Sequence, residues 1–261
     1  MPSNARSPDN IVLCYHALSQ AWEADLSTTP ARFERQLELL RDRGYRSVRF
    51  TEAVCSPVHR RVVAITFDDA YRSVSEIALP ILERLGMKAT VFVPTDYIGA
   101  DSVMRWPGID RWLDGPFERE LTPMSWAEIQ SLAAAGWEIG SHTGSHPHLT
   151  QLDDAALEDE LARSKAACER YVSGPCTSLA YPYGDVDARV VAATAKTGYT
   201  TAAALPRTLD SRDPLEWPRV GVYRVDDDFR FRLKVSPMLR RLRSSAAWDA
   251  VGSVRQLPRL R

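Results

Sequence analysis

An α/β fold on a parallel sheet, best drawn as a distorted or incomplete (β/α) barrel, is predicted by three features of the sequence. β-Rich runs alternate with helix-like segments along the chain, the order that builds parallel sheets. About seven such β/α units can be counted, where a complete barrel has eight. The 261 residues, 44% hydrophobic and 26% charged, provide for one full core, and barrels of this length commonly form a single domain.

Residues 11–16 (IVLCYH) read as the first strand. Thr29 is a good N-cap and Pro30 suits a first helical turn, so a helix begins there; Phe33, Leu37 and Leu40 line one face and Gly44 stops it. Residues 45–50 and 62–67 are strands. Over 74–86 the spacing of Ile77, Ile81, Leu82 and Leu85 predicts a helix that Pro80 must bend or begin, ended by Gly86. Strand 88–93 leads into an irregular insertion, 94–124, of a length usually reserved for function or mobility. Ser125 with Glu128 forms a capping box for a helix from Trp126 to about Ala135, stopped by Gly136. Strand 137–141 delivers His142. An amphipathic helix over 154–172 turns Leu157, Leu161 and Tyr171 inward. Strands at 177–181, 199–204 and 219–224 complete the set. The domain so defined spans 11–228, between a disordered polar start (1–10) and a basic extension (229–261).

A net charge of −1 offers no field to recruit nucleic acid. The sum hides a basic C-terminal stretch, Arg230 to Arg261, in which Asp249 is the only acid. It reads as a solvated tail, or as a contact to anionic lipid head groups. The sequence shows no secretory h-region and no long apolar run, which predicts a cytoplasmic protein, membrane-peripheral at most. The oligomeric state is left open. Cys14, Cys55, Cys168 and Cys176 form no CxxC pair and read as ordinary thiols, although Cys168 and Cys176 could pair under oxidising conditions.

Two segments carry chemistry. Strand 62–67 runs into Asp68 and Asp69, adjacent carboxylates at the C-terminal edge where parallel α/β folds place active sites. Neighbouring acids repel and point apart, so one can bind a cation while the other stays free as a base; a lone acid pair more often marks a helix start. The second segment, His142-Thr143-Gly144-Ser145-His146-Pro147-His148, also follows a strand. Three of the chain's five histidines crowd into it, which packing explains poorly, and neutral imidazoles are common ligands of borderline cations. A barrel can bring both segments to one rim, joining one carboxylate to two imidazoles with positions left for water and substrate.

Thr66-Phe67-Asp68-Asp69, His142-Thr143-Gly144-Ser145-His146 and Ala180-Tyr181-Pro182-Tyr183-Gly184 resemble, in order, the motifs of the polysaccharide deacetylases, the NodB-homology or carbohydrate esterase family 4 hydrolases. That resemblance implies a NodB-type distorted barrel and hydrolysis of N-acetyl, sometimes O-acetyl, groups on sugars. It makes Asp68 the general base and Asp69, His142 and His146 the ligands of a divalent metal, Zn²⁺ first, with Co²⁺ or Ni²⁺ as alternatives. The Arg that often orients the family's base is replaced by Ala180 here, as in the subgroup reading YPYG. Arg219 is the candidate substitute, an ordinary rim arginine being the other reading. The family's C-terminal LxxH is absent, for no His follows His148. Deacetylases of the poly-N-acetylglucosamine type look circularly permuted at this point, and Cys14-Tyr15-His16 is similar to their N-terminal Tyr-His. His16 is therefore the expected acid, standing opposite Asp68 across the metal, unless it is a core histidine.

By the same resemblance the Tyr183 N–H, since Pro182 cannot donate, completes an oxyanion hole. Tyr181, Pro182, Tyr183 and Trp217 are the expected sugar contacts, though each aromatic alone is more often core. His148 has no fixed role and His59 reads as a surface residue. The implied substrate is an acetylated amino-sugar saccharide or exopolysaccharide. The alternatives are a hydrolase of a non-sugar amide or cyclic imide, and an inactive sugar-binding homologue.

Overall fold

A computed structural model describes residues 9–55, 61–99, 103–206, 208–209 and 211–244; His59 and the last residues of the basic stretch lie outside them. The strands are β1 (Asn10–Tyr15), β2 (Ala17–Leu18), β3 (Ser27–Thr28), β4 (Arg46–Val48), β5 (Val62–Phe67), β6 (Thr90–Val93), β7 (Glu138–Ser141), β8 (Ser178–Ala180), β9 (Thr201–Ala204), β10 (Trp217–Pro218) and β11 (Val220–Gly221). The main sheet runs β10-β9-β8-β7-β6-β5-β1-β11, with β4 added beside the first half of β5. Every pairing in it is parallel.

The two ends of that path are one piece of chain. Only Arg219 separates β10, which pairs with β9 through Trp217↔Ala203 and Pro218↔Ala204, from β11, which pairs with β1 through Leu13↔Val220 and Cys14↔Gly221. A single extended segment thus closes the sheet into a (β/α) barrel. The sequence places this strand at 219–224, slightly too late. Pro218 lacks a donor, but the segment needs few ladder bonds because it splits them between two neighbours.

Small and aromatic side chains fill the barrel: Val12, Val62, Ala64, Phe92, Ala180 and Ala203, stoppered by Phe50. Phe50 was expected in a strand and instead opens α2 (Phe50–Cys55), its ring edge-on to Phe92 at 5.5 Å and its N–H donating to Thr90 Oγ1 at 2.9 Å. Burial of that ring in the barrel overrides the local β preference.

A larger core lies between the barrel and its helices. The capped helices form where expected: α1 (Pro30–Asp42) behind Thr29, α4 (Trp126–Ala134) behind the Ser125–Glu128 capping box, and α5 (Asp154–Val172) behind Asp153. Between α2 and α4, one wide turn over Val74–Ala78 leads into α3 (Leu79–Arg84), with Pro80 in its first turn. Tyr171, expected inward, is 38% exposed and stacks on Trp126 at 4.3 Å. The sequence reading did not include α6 (Ala188–Lys196), α7 (Asp228–Lys234) or α8 (Pro237–Arg243). Within the stretch read as an extension, Phe231 and Val235 are buried, Lys234 Nζ donates to Gly221 O at 3.0 Å, and Arg240 pairs with Asp9. No helix among the described residues is long and apolar enough to cross a membrane.

Candidate active site

Four strand ends deliver the chemistry to one edge of the barrel. β5 releases Asp68 and Asp69, β7 releases His142, β1 releases His16, and the closing segment carries Arg219. The Asp69, His142 and His146 side chains are all buried. His142 Nε2 lies 3.3 Å and His146 Nε2 3.4 Å from Asp69 Oδ1. The His142 Nδ1–H donates to Ala180 O at 2.8 Å, which fixes the tautomer and leaves the Nε2 lone pair facing Asp69.

Asp69 Oδ1 has no hydrogen-bond partner despite being buried, and an orphaned acceptor of that kind is costly unless a cation meets it. Three donor atoms, one anionic and two imidazole, within 4.8 Å of one another fit a divalent ion.

Asp68 is held differently. Arg219 Nη1 donates to Asp68 Oδ1 at 2.6 Å and Nη2 to Oδ2 at 2.7 Å, a bidentate fork between side chains 1% and 5% exposed. The same guanidinium reaches Thr66 Oγ1 at 3.1 Å and Ala204 O at 3.4 Å and lies 5.5 Å from the Phe92 ring centre. The buried thiol of Cys14 donates to Asp68 Oδ2 at 3.4 Å. Burial alone would raise the Asp68 pKa; Arg219, with help from His142 and His16, brings it down to about 2.

His16 is brought to the site beside Asp68. A ring nitrogen lies within 4.8 Å of both an Asp68 oxygen and Cys14 Sγ. The register explains the proximity: Tyr15 pairs with Phe67, so the next residues on the two strands, His16 and Asp68, are neighbours. Burial lowers the His16 pKa against the pull of Asp69 and Asp68, and its Nδ1 has no partner.

The expected sugar contacts divide. Tyr183 is 41% exposed, with its ring edge-on to His146 at 4.7 Å and stacked on His148 at 4.0 Å. Tyr181 is 1% exposed and its hydroxyl donates to Leu215 O at 2.8 Å; a side chain so enclosed cannot offer a face to a sugar. Pro182 is buried. Trp217, partly buried, packs against the barrel-interior cluster. Cys168 and Cys176 are buried free thiols, and Cys55 is exposed.

Two features carry no residue-specific signal in the sequence, although the Trp-rich insertion as a whole reads as a candidate aromatic wall. Trp106, from the insertion, stacks on His146 at 4.2 Å. Glu160 on α5 grips the histidine loop: Oε2 accepts the Gly144 and Ser145 N–H groups at 2.8 and 2.9 Å, while Oε1 accepts Ser145 Oγ at 2.8 Å and Arg163 Nη2 at 2.7 Å. The loop needs holding, because Thr143 (φ 67°) and His146 (φ 61°) are left-handed, as are Asp69 (φ 69°), Ala70 (φ 52°) and Tyr183 (φ 59°). Such conformations cost non-glycine residues roughly 1–2 kcal/mol each, and they gather at functional sites.

A family model for polysaccharide deacetylases matches residues 56–202. The chain belongs to the polysaccharide deacetylase family. YxkH of Bacillus subtilis, whose name places it in the same family, is 28% identical over 231 residues, 87% of this chain and 71% of its own length. The poly-β-1,6-N-acetyl-D-glucosamine N-deacetylase of Staphylococcus aureus is 23% identical over 171 residues, 60% of this chain and 54% of that enzyme. The chain therefore spans about half the length of the latter relative. Among solved structures, BA0330 from Bacillus anthracis, named for the same family, superimposes with a TM-score of 0.70 at 25% identity, covering 87% of this chain and 69% of that one.

Proposed function

We propose that this deacetylase hydrolyses the N-acetyl groups of amino sugars in a saccharide or exopolysaccharide, as the name of the Staphylococcus aureus relative says of that enzyme. The observation that carries the reading is the buried, arginine-clamped Asp68 beside the Asp69/His142/His146 group. A protein that only binds sugar has no use for a second, separately held carboxylate at that spot. We assign Zn²⁺ to the group from its two imidazoles and one carboxylate. When bound, the ion supplies Lewis acidity for an acyl oxygen and lowers the pKa of water.

The residues of the chain do the rest. Asp68, ionised at neutral pH, accepts the proton of the attacking water, and Arg219 fixes the plane in which its remaining lone pairs point. The Tyr183 N–H, on a left-handed turn, is the donor we assign to the oxyanion. His16, in its protonated form, delivers a proton to the leaving nitrogen, a step an amide requires because an amine anion leaves poorly. Trp106 and Tyr183 flank His146 as aromatic walls. Acetate release from N-acetylglucosamine oligomers, set against release from small amides, tests the proposal. Turnover confined to the oligomers and lost in Asp68→Asn is the expected result; turnover of small amides alone would refute it.

A further inference from the structure

Five large hydrophobic side chains stand exposed in one stretch near the end of the described chain: Val225 at 55%, Phe229 at 69%, Leu233 at 44%, Met238 at 83% and Leu242 at 45%. Phe229 and Leu233, four residues apart, share one face of α7, and Val225 lies in the turn that precedes its extended N-cap, Asp227. Phe231 and Val235, two residues out of step, fill the opposite and buried face. The outward stripe is therefore surplus to the core, which already has its apolar face from this helix.

Charge accompanies the stripe. Across residues 228–244 the only acid is Asp228, and it pairs with Arg35 at 3.4 Å. Lys234 and Arg240 are neutralised by Asp226 and Asp9. Arg230, Arg232 and Arg241 have no carboxylate within 4 Å among the described residues. Bulky apolar groups flanked by uncompensated guanidinium groups are the composition of a helix that lies in a lipid interface, where long cationic side chains reach the phosphates while the apolar face enters the acyl boundary. A face meant for water has no need of the former, and one meant for a protein core has no need of the latter.

We propose that α7 and α8 dock this chain on an anionic membrane surface. Val225, Phe229, Leu233 and Met238 enter the bilayer boundary, and Arg230, Arg232 and Arg241 meet the head-group phosphates. The surface begins just after β11, at the strand edge that carries the catalytic groups. Arg224, next to Val225, is tied to the loop after His16 through Asp25 O at 2.9 Å and Ser19 O at 2.8 Å. Docking thus lays the side of the barrel along the lipid, with the catalytic edge at one end of the contact and Asn10, where Arg240 Nη1 donates to the backbone oxygen at 3.0 Å, at the other.

The test is co-sedimentation of the full chain with phosphatidylcholine vesicles, with and without phosphatidylglycerol. Binding is expected only to the anionic vesicles and should weaken as salt rises. Phe229→Ser with Leu233→Ser should lower vesicle affinity by about ten-fold or more. Reversing Arg230, Arg232 and Arg241 to Glu should lower it by about a hundred-fold. Both variants should keep wild-type circular dichroism and acetate release from a short soluble oligomer, because none of these residues touches the site. No partition of the wild type, or partition unchanged in both variants, overturns the proposal. So does sedimentation velocity in which the same substitutions dissociate a dimer, since the face would then belong to a second copy.

Discussion

Replacing Arg219 with Met should injure both the base and the fold, by an amount that depends on pH. The fork to Asp68 is closed to solvent, at 1% and 5% side-chain exposure, and leaving a buried charge unpaired costs about 3–5 kcal/mol. Linkage gives an independent figure. The Asp68 carboxyl sits at about 2 against an ordinary 3.8, nearly two units, or about 2.5 kcal/mol at 1.36 kcal/mol per unit. Because the folded pKa is the lower one, this stability is complete above the unfolded value and is lost as pH falls through about 2. Urea unfolding should therefore show Arg219→Met about 3 kcal/mol less stable at pH 7, with the gap to wild type narrowing toward pH 3. A double-mutant cycle with Asp68→Asn should give a coupling of at least ~2 kcal/mol. With the clamp gone, burial raises the Asp68 pKa, so the acid limb of the rate profile should move toward neutrality. Additive single effects, within ~0.5 kcal/mol, or an unmoved acid limb would refute the idea that Arg219 holds the base.

Asp69→Ala, His142→Ala and His146→Ala should each lose bound metal and turnover while remaining folded; stoichiometric metal in any of them, by elemental analysis, counts against the ligand set. His16→Ala should lose about 10²–10⁴ in rate on N-acetyl substrates yet still cleave an activated aryl acetate, which needs no acid; full amide activity would remove His16 from the mechanism. Glu160→Gln should weaken metal affinity about 10–100-fold in a chelator competition, and unchanged affinity would leave Glu160 a role in the fold alone. A Cβ at Gly140 would sit 2.6 Å from both the Phe92 ring and Ser178 Oγ, so Gly140→Ala should cost about 1–3 kcal/mol; an unaltered melting temperature would mean that the barrel interior has room to yield.

Much of this could be read from sequence because the signals were local. The strand before Asp68, the capping box at Ser125 and the His142–His146 cluster each declare themselves within a few residues. Arg219 was legible only through the vacancy at Ala180, and the structure places its guanidinium on Asp68. What could not be read depends on distant neighbours. Glu160 is one acid among several on the charged helix α5, and nothing in its spacing marks it as the acceptor of two loop amides. Asp69, Ala70, Thr143, His146 and Tyr183 are left-handed without a glycine to announce it. Tyr181 reads as a rim aromatic because Tyr183 is one, yet its ring lies in the core. The closeness of His16 and Asp68 follows from strand order, and β1 beside β5 is a fact of the whole sheet.

The closing strand has a consequence for when the enzyme can first work. Trp217–Gly221 leaves the ribosome after every other strand among the described residues, and its central residue is the clamp on Asp68. A nascent chain that already displays the acid pair and the histidine cluster still has an unclamped base and an unsealed barrel. One docking event supplies both, so hydrolytic competence serves as a readout of completed assembly. The same logic applies to fragments. The region matched by the family model, 56–202, contains the acid pair and both histidines but lacks Arg219 and, at its other end, His16. A protein trimmed to that signature should retain the cation ligands and the base carboxylate without the arginine that clamps the base or the histidine that serves as acid.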